Sequence, residues 1–305
     1  MLQQETRVWT VREIMRVALD LLQKKGIEEA RLNVELLLAQ ALKCQRIQLY
    51  TNFDKPLTKE ETKEFRRFME RRLNREPLQY IVGAAGFMGL QFRVDPRVLI
   101  PRPETETLVE QVMLLCNAKN EEKPVSLLEV GTGSGNIAIA LAKYVKQLRV
   151  TSIDVSPVAL EVAELNAKVH EVSGQIEFKH LDVFEPVDQI LLKRFDFLVS
   201  NPPYVSQEDY EHLQQEVRRY EPRVATTDGR DGFEYHRRLA ELAPFLLADG
   251  GSLAVEVGYG QAEHVRKLLE EAGFYHLYIV PDLQSIPRVV IGSCHATTRN
   301  PGPVN

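Results

Sequence analysis

The segment Asn201-Pro-Pro-Tyr204 has the residue types and order that point most directly to chemistry. Two adjacent prolines fix the backbone and remove two N–H donors, so the segment offers mainly acceptors: carbonyl groups and the Asn201 side-chain oxygen. A rigid set of acceptors suits an –NH2 group, and Tyr204 adds a flat face on which a planar group can stack. The alternative is a stiff turn without chemistry. We predict a pocket for a planar amino group.

A glycine-rich loop, Glu129-Val-Gly-Thr-Gly-Ser-Gly135, lies between a predicted strand (125–130) and a predicted helix (137–144). Glycines at such a junction permit a tight turn and a close approach of a ligand to the backbone, although a plain turn has the same composition. The dinucleotide fingerprint G-x-G-x-x-G has its third glycine one residue later, which disfavours a dehydrogenase.

The pattern E/D-x-G-x-G-x-G resembles motif I of class I S-adenosylmethionine-dependent methyltransferases. The resemblance implies that the loop packs against the methionine part of the cofactor, through Glu129, Gly131, Thr132, Gly133, Ser134 and Gly135. Asp154 ends the next predicted strand, where a carboxylate can accept hydrogen bonds from ribose hydroxyls. Asp182 and Val183 follow a third strand, where such enzymes contact adenine; ordinary loop or helix-end carboxylates are the alternative for both acids. The implied cofactor is S-adenosyl-L-methionine and the implied product S-adenosyl-L-homocysteine.

The segment 201–204 resembles the D/N-P-P-Y motif of amino-methyltransferases, whose targets are adenine N6, guanine N2 and glutamine N5. A conjugated nitrogen is a poor nucleophile, and acceptors on its two hydrogens can orient and polarise it. We expect direct in-line transfer, with positioning and desolvation supplying much of the rate and without a separate general base. Asn201 is expected to contact the cofactor as well as the substrate.

Nearly the whole chain resembles the protein glutamine N5-methyltransferase family that modifies peptide-chain release factors, the HemK-like or PrmC-like enzymes. The stretches that carry this resemblance, besides those above, are 77–80, 100–106, 220–223, 231–232, 256–261 and 286–292. The resemblance implies methylation of the glutamine in the Gly-Gly-Gln motif of class I release factors. It implies that the amide is held by Asn201 and the Pro202 carbonyl and shaped by Pro203 and Tyr204.

The same resemblance assigns Arg102 and Glu104 to ordering a loop over the pocket, with a helix cap plus a salt bridge as the alternative. Glu256 lies in a strand-like apolar run, so we expect a structural role near the sheet edge and no catalytic one. The sequence departs from the family pattern at 84–85 and 225–230, which puts loop details in doubt.

These residues require a scaffold of alternating strands and helices. From residue 125 onward the pattern predicts an α/β fold with a mostly parallel sheet, and the resemblance implies that this sheet is Rossmann-like, of the class I methyltransferase type. The first 76 residues show helical periodicity, with capping-box patterns at Thr10 and Thr58. We predict a helical substrate-docking domain (1–76), a β-hairpin linker (77–101) with strand-like Phe92, Val94, Val98 and Ile100, a methyltransferase domain (102–295) and a flexible tail (296–305).

Composition excludes several classes of protein. Hydrophobic residues make up 44% and charged residues 27% of the 305, and no run of about 18 apolar residues predicts a membrane-spanning helix. The three cysteines lie far apart without C-x-x-C, and the seven histidines form no H-E-x-x-H, so we predict no metal site and a reducing compartment. The N-terminal segment lacks the features of a presequence, which favours the cytoplasm.

Charge is unevenly distributed. Residues 1–85 hold 16 Lys+Arg against 12 Asp+Glu, whereas the remaining residues hold 22 against 31. A basic head suggests docking on an acidic surface of the release factor, and a solvated helix face is the alternative. The arginines of this head are Arg66, Arg67, Arg71, Arg72 and Arg75, which span more than one helix face, so we expect some to be simply solvated.

Two rival functions remain at this point. A nucleic-acid amino-methyltransferase acting on adenine N6 or guanine N2 shares both motifs, but the acidic catalytic part disfavours it. A non-catalytic cofactor-binding adaptor would be expected to have a damaged glycine loop or Asn-Pro-Pro-Tyr motif, and both are intact. We therefore expect a monomer that acts on release factors without direct contact with DNA or membranes.

Overall fold

The computed structural model describes residues 8–119, 123–185 and 194–296. The chain divides into two compact units. The helical unit comprises the chain up to Gly83 together with Gln215–Tyr220, and the sheet unit comprises Ala84–Gln214 and the chain from Glu221 onward. Apart from Ala296, the predicted tail lies outside the described residues, as do residues 1–7 of the predicted head. The three predicted domain boundaries stay predictions.

The helical unit begins with five helices: α1 (Val11–Lys24), α2 (Ala30–Ala41), α3 (Arg46–Thr51), α4 (Lys59–Leu73) and α5 (Leu78–Val82). Both predicted capping boxes are confirmed, because the Thr10 and Thr58 hydroxyls accept from the N–H groups of Glu13 (3.3 Å) and Glu61 (3.1 Å). Apolar faces of these helices form one core, which includes the fully buried Leu37. Burial of these faces, more than local propensity, stabilises such short helices.

The five arginines of the head differ in their surroundings. Arg66 and Arg67 are exposed, and Arg67 pairs with Glu64 on the same helix. The others are engaged within the unit: Arg71 binds Glu76, Arg72 is buried and binds Asn33 (2.7 Å) and Glu216 (3.3 Å), and Arg75 donates to the carbonyls of Lys25 and Gly26. The expectation that some of the five arginines are simply solvated can therefore concern only Arg66 and Arg67, because internal acceptors hold the other three.

The predicted hairpin is present but shorter than expected. It consists of β1 (Ala84–Phe87) and β2 (Leu90–Arg93), which pair antiparallel. The start of the predicted linker instead forms helix α5, and residues 94–100 are buried in part but form no strand. Residues 94–100 form no strand because the chain turns at Asp95. The Asp95 carboxylate accepts a hydrogen bond from the Arg97 N–H, and the Asp95 carbonyl accepts one from the Val98 N–H. Pro96 also lacks the N–H that a ladder requires.

The sheet unit continues with alternating elements. Its helices are α6 (Thr105–Asn117), α7 (Asn136–Tyr144), α8 (Pro157–Val169), α9 (Gln207–Tyr210), α11 (Glu234–Leu246) and α12 (Ala262–Glu271), while α10 (Gln215–Tyr220) belongs to the helical unit. Its strands are β3 (Val125–Val130), β4 (Leu148–Asp154), β5 (Ile176–His180), β6 (Phe195–Ser200), β7 (Leu247–Glu256), β8 (Tyr275–Pro281) and β9 (Pro287–Ser293). A 3-10 turn spans Arg223–Ala225.

The seven strands form one sheet in the order β5-β4-β3-β6-β7-β9-β8. The five strands from β5 to β7 in this order are parallel, and β9 pairs antiparallel with both β7 and β8. This arrangement confirms the predicted Rossmann-like α/β fold with its helical N-terminal part and hairpin. In the described part of the chain no helix is long and apolar enough to cross a membrane.

Candidate active site

Four neighbouring strands end in one row at the carboxyl edge of the sheet. Val130 of β3 pairs with Ile153 of β4 on one side and with Ser200 of β6 on the other. Ser200 in turn pairs with Val255 of β7. The next residues along these strands, from β4 to β7, are Asp154, Gly131, Asn201 and Glu256. The parallel register therefore brings together residues that are far apart in the sequence.

A cleft lies at this edge of the sheet, and its volume, including the space at its open mouth, is about 970 Å³. The strand order reverses between β3 and β6, which is where ligands bind in open α/β sheets, and the volume is typical of a small-molecule site. The predicted site residues that line the cleft are Arg102, Gly131, Thr132, Gly133, Ser134, Asp154, Asp182, Val183, Asn201, Pro202 and Pro203. The other predicted residues, all within the described ranges, do not line it: Glu104, Glu129, Gly135 and Tyr204.

The glycine loop presents backbone to the cleft. Gly131 and Gly133 have φ of +87° and +54°, a region in which side chains are disfavoured. The buried Thr132 hydroxyl is 2.6 Å from the Ser152 hydroxyl, and the buried Ser134 hydroxyl donates to a side chain at the start of α7. Their backbone atoms are therefore what a ligand can reach.

Gly135 and Glu129 support the loop from within. A Cβ on Gly135 would lie 2.9 Å from the Ile139 side chain and 3.1 Å from Ala163, so this glycine allows α7 and α8 to pack closely. Glu129 is fully buried, accepts from the Ser152 hydroxyl, and has its pKa raised to about 8 by burial. Its predicted contact with a cofactor stays a prediction.

Asp154 faces the cleft with both carboxylate oxygens already bonded to backbone. Oδ2 accepts from the Gly133 N–H and Oδ1 from the Ser156 N–H, each at 2.8 Å. Burial raises the pKa of this carboxyl. Each carboxylate oxygen can accept two hydrogen bonds, so each retains one acceptor site for a ligand hydroxyl.

Asp182 and Val183 line the side of the cleft beyond β4. Asp182 Oδ1 accepts from the Phe184 N–H at 2.9 Å, which shapes the loop after β5. The Val183 carbonyl accepts from the Arg238 guanidinium at 2.9 Å, and the Val183 side chain is buried. This corner combines one carboxylate with an apolar wall, which can accept a planar base.

Asn201, Pro202 and Pro203 line the cleft at the end of β6, whereas Tyr204 lies behind them outside its lining. Asn201 Nδ2 donates to the Thr105 hydroxyl at 3.0 Å, which leaves Oδ1 as the acceptor that the amide can present to a ligand. The Tyr204 hydroxyl donates to Glu256 Oε1 at 3.3 Å, and the Tyr204 carbonyl accepts from the Gln261 amide at 2.9 Å. Burial raises the pKa of Tyr204. Stacking of its ring on a substrate stays a prediction.

Arg102 lies at the rim of the cleft and forms an ion pair with Glu221 at 2.5 Å. Glu221 is almost fully buried and also accepts from the Ile100 N–H at 3.2 Å, so it fixes the segment 100–102. Glu104 occupies the N-cap position of α6 without a side-chain capping hydrogen bond. A salt bridge of Arg102 is thus present, whereas a cap by Glu104 is not, and the ordering role predicted for both stays a prediction.

Several residues around the cleft were not identified from the sequence. Thr105, Val224 and Tyr235 line it, and burial raises the pKa of Tyr235 to about 12. Thr105 and Glu221 lie in stretches that carried the family resemblance. Neither residue type indicates a role by itself, because the partner of each is distant in the sequence. Across the described ranges, no group of three or more His, Cys, Asp or Glu side chains could hold a metal ion.

Two family models match the chain. One, described as the PrmC N-terminal domain, matches residues 13–83, and the other, described as the methyltransferase small domain, matches residues 110–230. The release factor glutamine methyltransferase of Geobacter sulfurreducens is 42% identical over 289 residues, which cover 95% of this chain and 98% of that protein. The release factor glutamine methyltransferase of Chlorobaculum tepidum is 44% identical over 287 residues, which cover 93% and 97%.

A solved structure shares the fold. The hMettl16 catalytic domain, in complex with the MAT2A 3′UTR hairpin 6, aligns with a TM-score of 0.52 and 16% identity, covering 70% of this chain and 78% of that one. At this identity the likeness concerns the fold alone.

Proposed function

The chain belongs to the release factor glutamine methyltransferase family, and from this premise we propose that it transfers the methyl group of S-adenosyl-L-methionine to the side-chain amide N5 of the glutamine in the Gly-Gly-Gln motif of class I release factors. The observation that carries the proposal is the placement of Gly131 beside Asn201: a Cβ on Gly131 would lie 3.7 Å from the Asn201 carbonyl oxygen. A cofactor on the glycine loop and an amide on Asn201 would therefore be neighbours.

The cleft fits this cofactor on several counts. The positive-φ backbone of Gly131 and Gly133 leaves room for the methionine part, and the remaining acceptor sites of Asp154 suit two ribose hydroxyls. Asp182 and the buried Val183 suit the adenine. When bound, S-adenosyl-L-methionine supplies a methyl group on a sulfonium, and S-adenosyl-L-homocysteine is the product.

The chain's own residues act on the amide nitrogen. Asn201 Oδ1 and the Pro202 carbonyl accept its two hydrogens, which orients the lone pair toward the methyl group and draws charge onto the nitrogen. Pro202 is buried, and the two prolines keep the acceptors fixed, so little reorganisation accompanies the reaction. Positioning and exclusion of water supply the rate, and the proton leaves after the nitrogen becomes cationic.

We also propose roles for the regions of the chain, an oligomeric state and a location, all of which follow from the sequence. The helical region 1–76 docks the release factor through exposed cations such as Arg66, the region 77–101 links it to the catalytic region 102–295, and the protein acts as a cytoplasmic monomer without direct contact with DNA or membranes. The uneven charge along the chain supports the docking role. Light scattering of the purified protein at micromolar concentration tests the monomer, and a dimer mass would overturn it.

The decisive experiment is a transfer assay with methyl-labelled cofactor. The substrates are a purified class I release factor, its Gln→Ala variant in the Gly-Gly-Gln motif, and bulk DNA and RNA. We expect label on the wild-type factor only. Label that persists on the Gln→Ala variant would overturn the assigned glutamine, and label on nucleic acid would replace the substrate by adenine N6 or guanine N2 while leaving the cofactor site intact.

A further inference from the structure

The two most exposed large apolar side chains in the described part of the chain lie at the edge of the sheet that carries the candidate active site. Tyr259, in the loop after β7, is 82% exposed, and Leu283, in the turn between β8 and β9, is fully exposed. Because β7 runs parallel to β6 and β9 runs antiparallel to both β7 and β8, this loop and this turn lie at the same edge as Asn201. One exposed apolar side chain needs no explanation, but two beside one site call for a reason.

The loop that carries Tyr259 is bonded directly to the segment 201–204. The Gln261 side chain accepts from the Gly258 N–H at 2.8 Å and donates to the Tyr204 carbonyl at 2.9 Å. A Cβ on Gly258 would lie 3.0 Å from the Tyr204 ring, so the loop and the segment are also in close contact. Tyr259 is therefore held on a short, closed loop that is fixed to the segment proposed to bind the substrate amide.

The turn that carries Leu283 is organised by one carboxylate. Asp282 Oδ1 accepts from the Ile286 N–H at 3.0 Å, and Oδ2 accepts from the Arg288 guanidinium at 3.1 Å. The Arg288 carbonyl in turn accepts from the Val257 N–H, at the start of the loop after β7, at 2.8 Å. The loop and the turn thus form one hydrogen-bonded block, and side chains presented on such a block lose little conformational freedom when they bind a partner.

The layout of the site leaves this block for the protein substrate. The residues proposed to hold the ribose and the adenine, Asp154 and Asp182, follow β4 and β5, whereas the loop and the turn belong to β7, β9 and β8 on the other side of β6. The glutamine bound at Asn201 belongs to a protein, so the residues that flank it extend out of the cleft. Adjacent strands lie about 4.8 Å apart, which puts the turn roughly 12 Å, or about four extended residues, from the end of β6.

We propose that Tyr259 and Leu283, here called the apolar tips, form a docking surface for the release factor and contact it a few residues away from its Gly-Gly-Gln motif. This inference rests on the proposed function, and it separates recognition of the protein from recognition of the amide. Tyrosine is among the residue types that carry most of the binding energy at protein interfaces. Because the contact is apolar, it changes little between low salt and 0.5 M sodium chloride, whereas attraction by exposed cations is screened.

The test measures steady-state transfer to an intact release factor by the full-length protein. Tyr259→Ala is expected to raise KM for the factor about 10-fold and Leu283→Ala about 3-fold, with kcat and cofactor affinity unchanged within about twofold. Tyr259→Phe keeps the ring and should retain KM within about twofold. Leu114→Ala is the matched control, because Leu114 is an exposed leucine near the end of α6, which leads into the start of β3 at the opposite edge of the sheet.

The double variant Tyr259→Ala, Leu283→Ala should show a KM raised at least about 10-fold, both at low salt and at 0.5 M sodium chloride. A KM equal to the wild-type value would overturn the proposal, as would an increase that disappears at high salt. An equal increase in Leu114→Ala would show that the effect does not depend on this edge of the sheet, and would overturn it too.

A binding measurement separates a failure of the apolar tips from a failure of the proposed function. Fluorescence anisotropy of a labelled release factor, titrated with the protein and S-adenosyl-L-homocysteine, requires no transfer, and we expect Kd to rise at least about 10-fold in the double variant. Equal Kd values for the wild type and the double variant, or no binding by the wild type, would overturn the docking surface. Weaker binding by the double variant, with no methyl transfer by the wild type, would support the surface and overturn the proposed function.

Discussion

Asn201 contributes to the proposed reaction through a single atom, its Oδ1. Its nitrogen is engaged by Thr105, so the amide has one orientation and one free acceptor. We predict that Asn201→Ala lowers kcat by about 100-fold, because groups that stabilise charge developing only in the transition state typically contribute this much. Steady-state kinetics with saturating cofactor measures the effect.

The separate effects of Asn201→Ala on kcat and on KM show in which step Asn201 acts. A pure rise in KM with constant kcat would mean that Asn201 binds the ground state and transition state equally, contrary to the proposed polarisation. Cofactor affinity in the same variant separates its role on the substrate side from its predicted contact with the cofactor.

Glu129 is expected to make the stability of the folded protein depend on pH. Burial raises its pKa from 4.5 to about 8, so near pH 7 the folded protein retains a proton that the unfolded chain has released. The stability that this group contributes is fully present below about pH 4.5 and is lost as the pH rises through about 8. We predict that Glu129→Gln, in the absence of cofactor, is more stable than the wild type at pH 8.5 by at least about 1 kcal/mol, or some 2–4 °C in Tm.

Thermal unfolding at pH 5 and pH 8.5 checks this prediction. Exposed Glu164 on α8 provides the control, since Glu164→Gln should change Tm by the same small amount at both pH values. A wild-type advantage over Glu129→Gln that grows with pH would contradict the raised pKa.

Gly232, in the segment before α11, lies against the loop that follows β6. Gly232, before α11, has φ of +84°, and a Cβ there would lie 2.5 Å from the Tyr204 carbonyl oxygen. Gly260, after β7, has a similar φ of +78° but open space around it. The pair therefore separates the cost of backbone strain from the cost of displacing Tyr204.

We predict that Gly260→Ala lowers the free energy of unfolding by about 1 kcal/mol and leaves kcat within about twofold. Gly232→Ala should lower it by about 2–4 kcal/mol and also reduce kcat at least about tenfold, because the segment 201–204, which we propose to bind the substrate, must move. Chemical denaturation and transfer kinetics measure both effects. Equal effects of the two substitutions would show that only φ matters.

Strand positions were the most predictable feature of the elements. The predicted strand 125–130 coincides with β3, because strands buried on both faces of a parallel sheet read as near-continuous apolar runs. Strand β7 begins at Leu247 and runs through Gly250-Gly251, a pair that resembles a turn in sequence. Helices α5, α9 and α10, with four to six residues each, are too short to show a period.

Whether a site residue could be predicted from the sequence depended on whether it lies in a local motif. Those within local motifs, such as Gly131, Asp154 and Asn201, were found because strand ends in a parallel sheet lie side by side. Thr105 pairs with Asn201 across 96 residues, as Arg102 does with Glu221 across 119. A single sequence contains no signal for such pairs, which only the folded chain brings together.

The whole chain combines a basic helical unit with an acidic sheet unit, and the chain order interleaves them. After the segment 201–204 the chain contributes Gln215–Tyr220 to the helical unit and then returns to the sheet unit at Glu221, which binds Arg102. Within the helical unit, Arg71, Arg72 and Arg75 are already engaged by internal acceptors. Any electrostatic attraction of a release factor must therefore come from the cations that remain exposed.

Arg66 and Arg67 on α4 are such cations. If the helical unit attracts an acidic release factor, the double substitution Arg66→Glu and Arg67→Glu should raise KM for the factor about 3- to 10-fold at low salt, with kcat and cofactor affinity unchanged. The difference should largely vanish at 0.5 M salt, where the Debye length falls to a few ångström. Lys146→Glu, an equally exposed charge reversal on the sheet unit, should leave KM unaltered. Equal KM values for the wild type and the double variant at low salt would remove these cations from docking, and recognition of the factor would then rest on the cleft and the apolar tips.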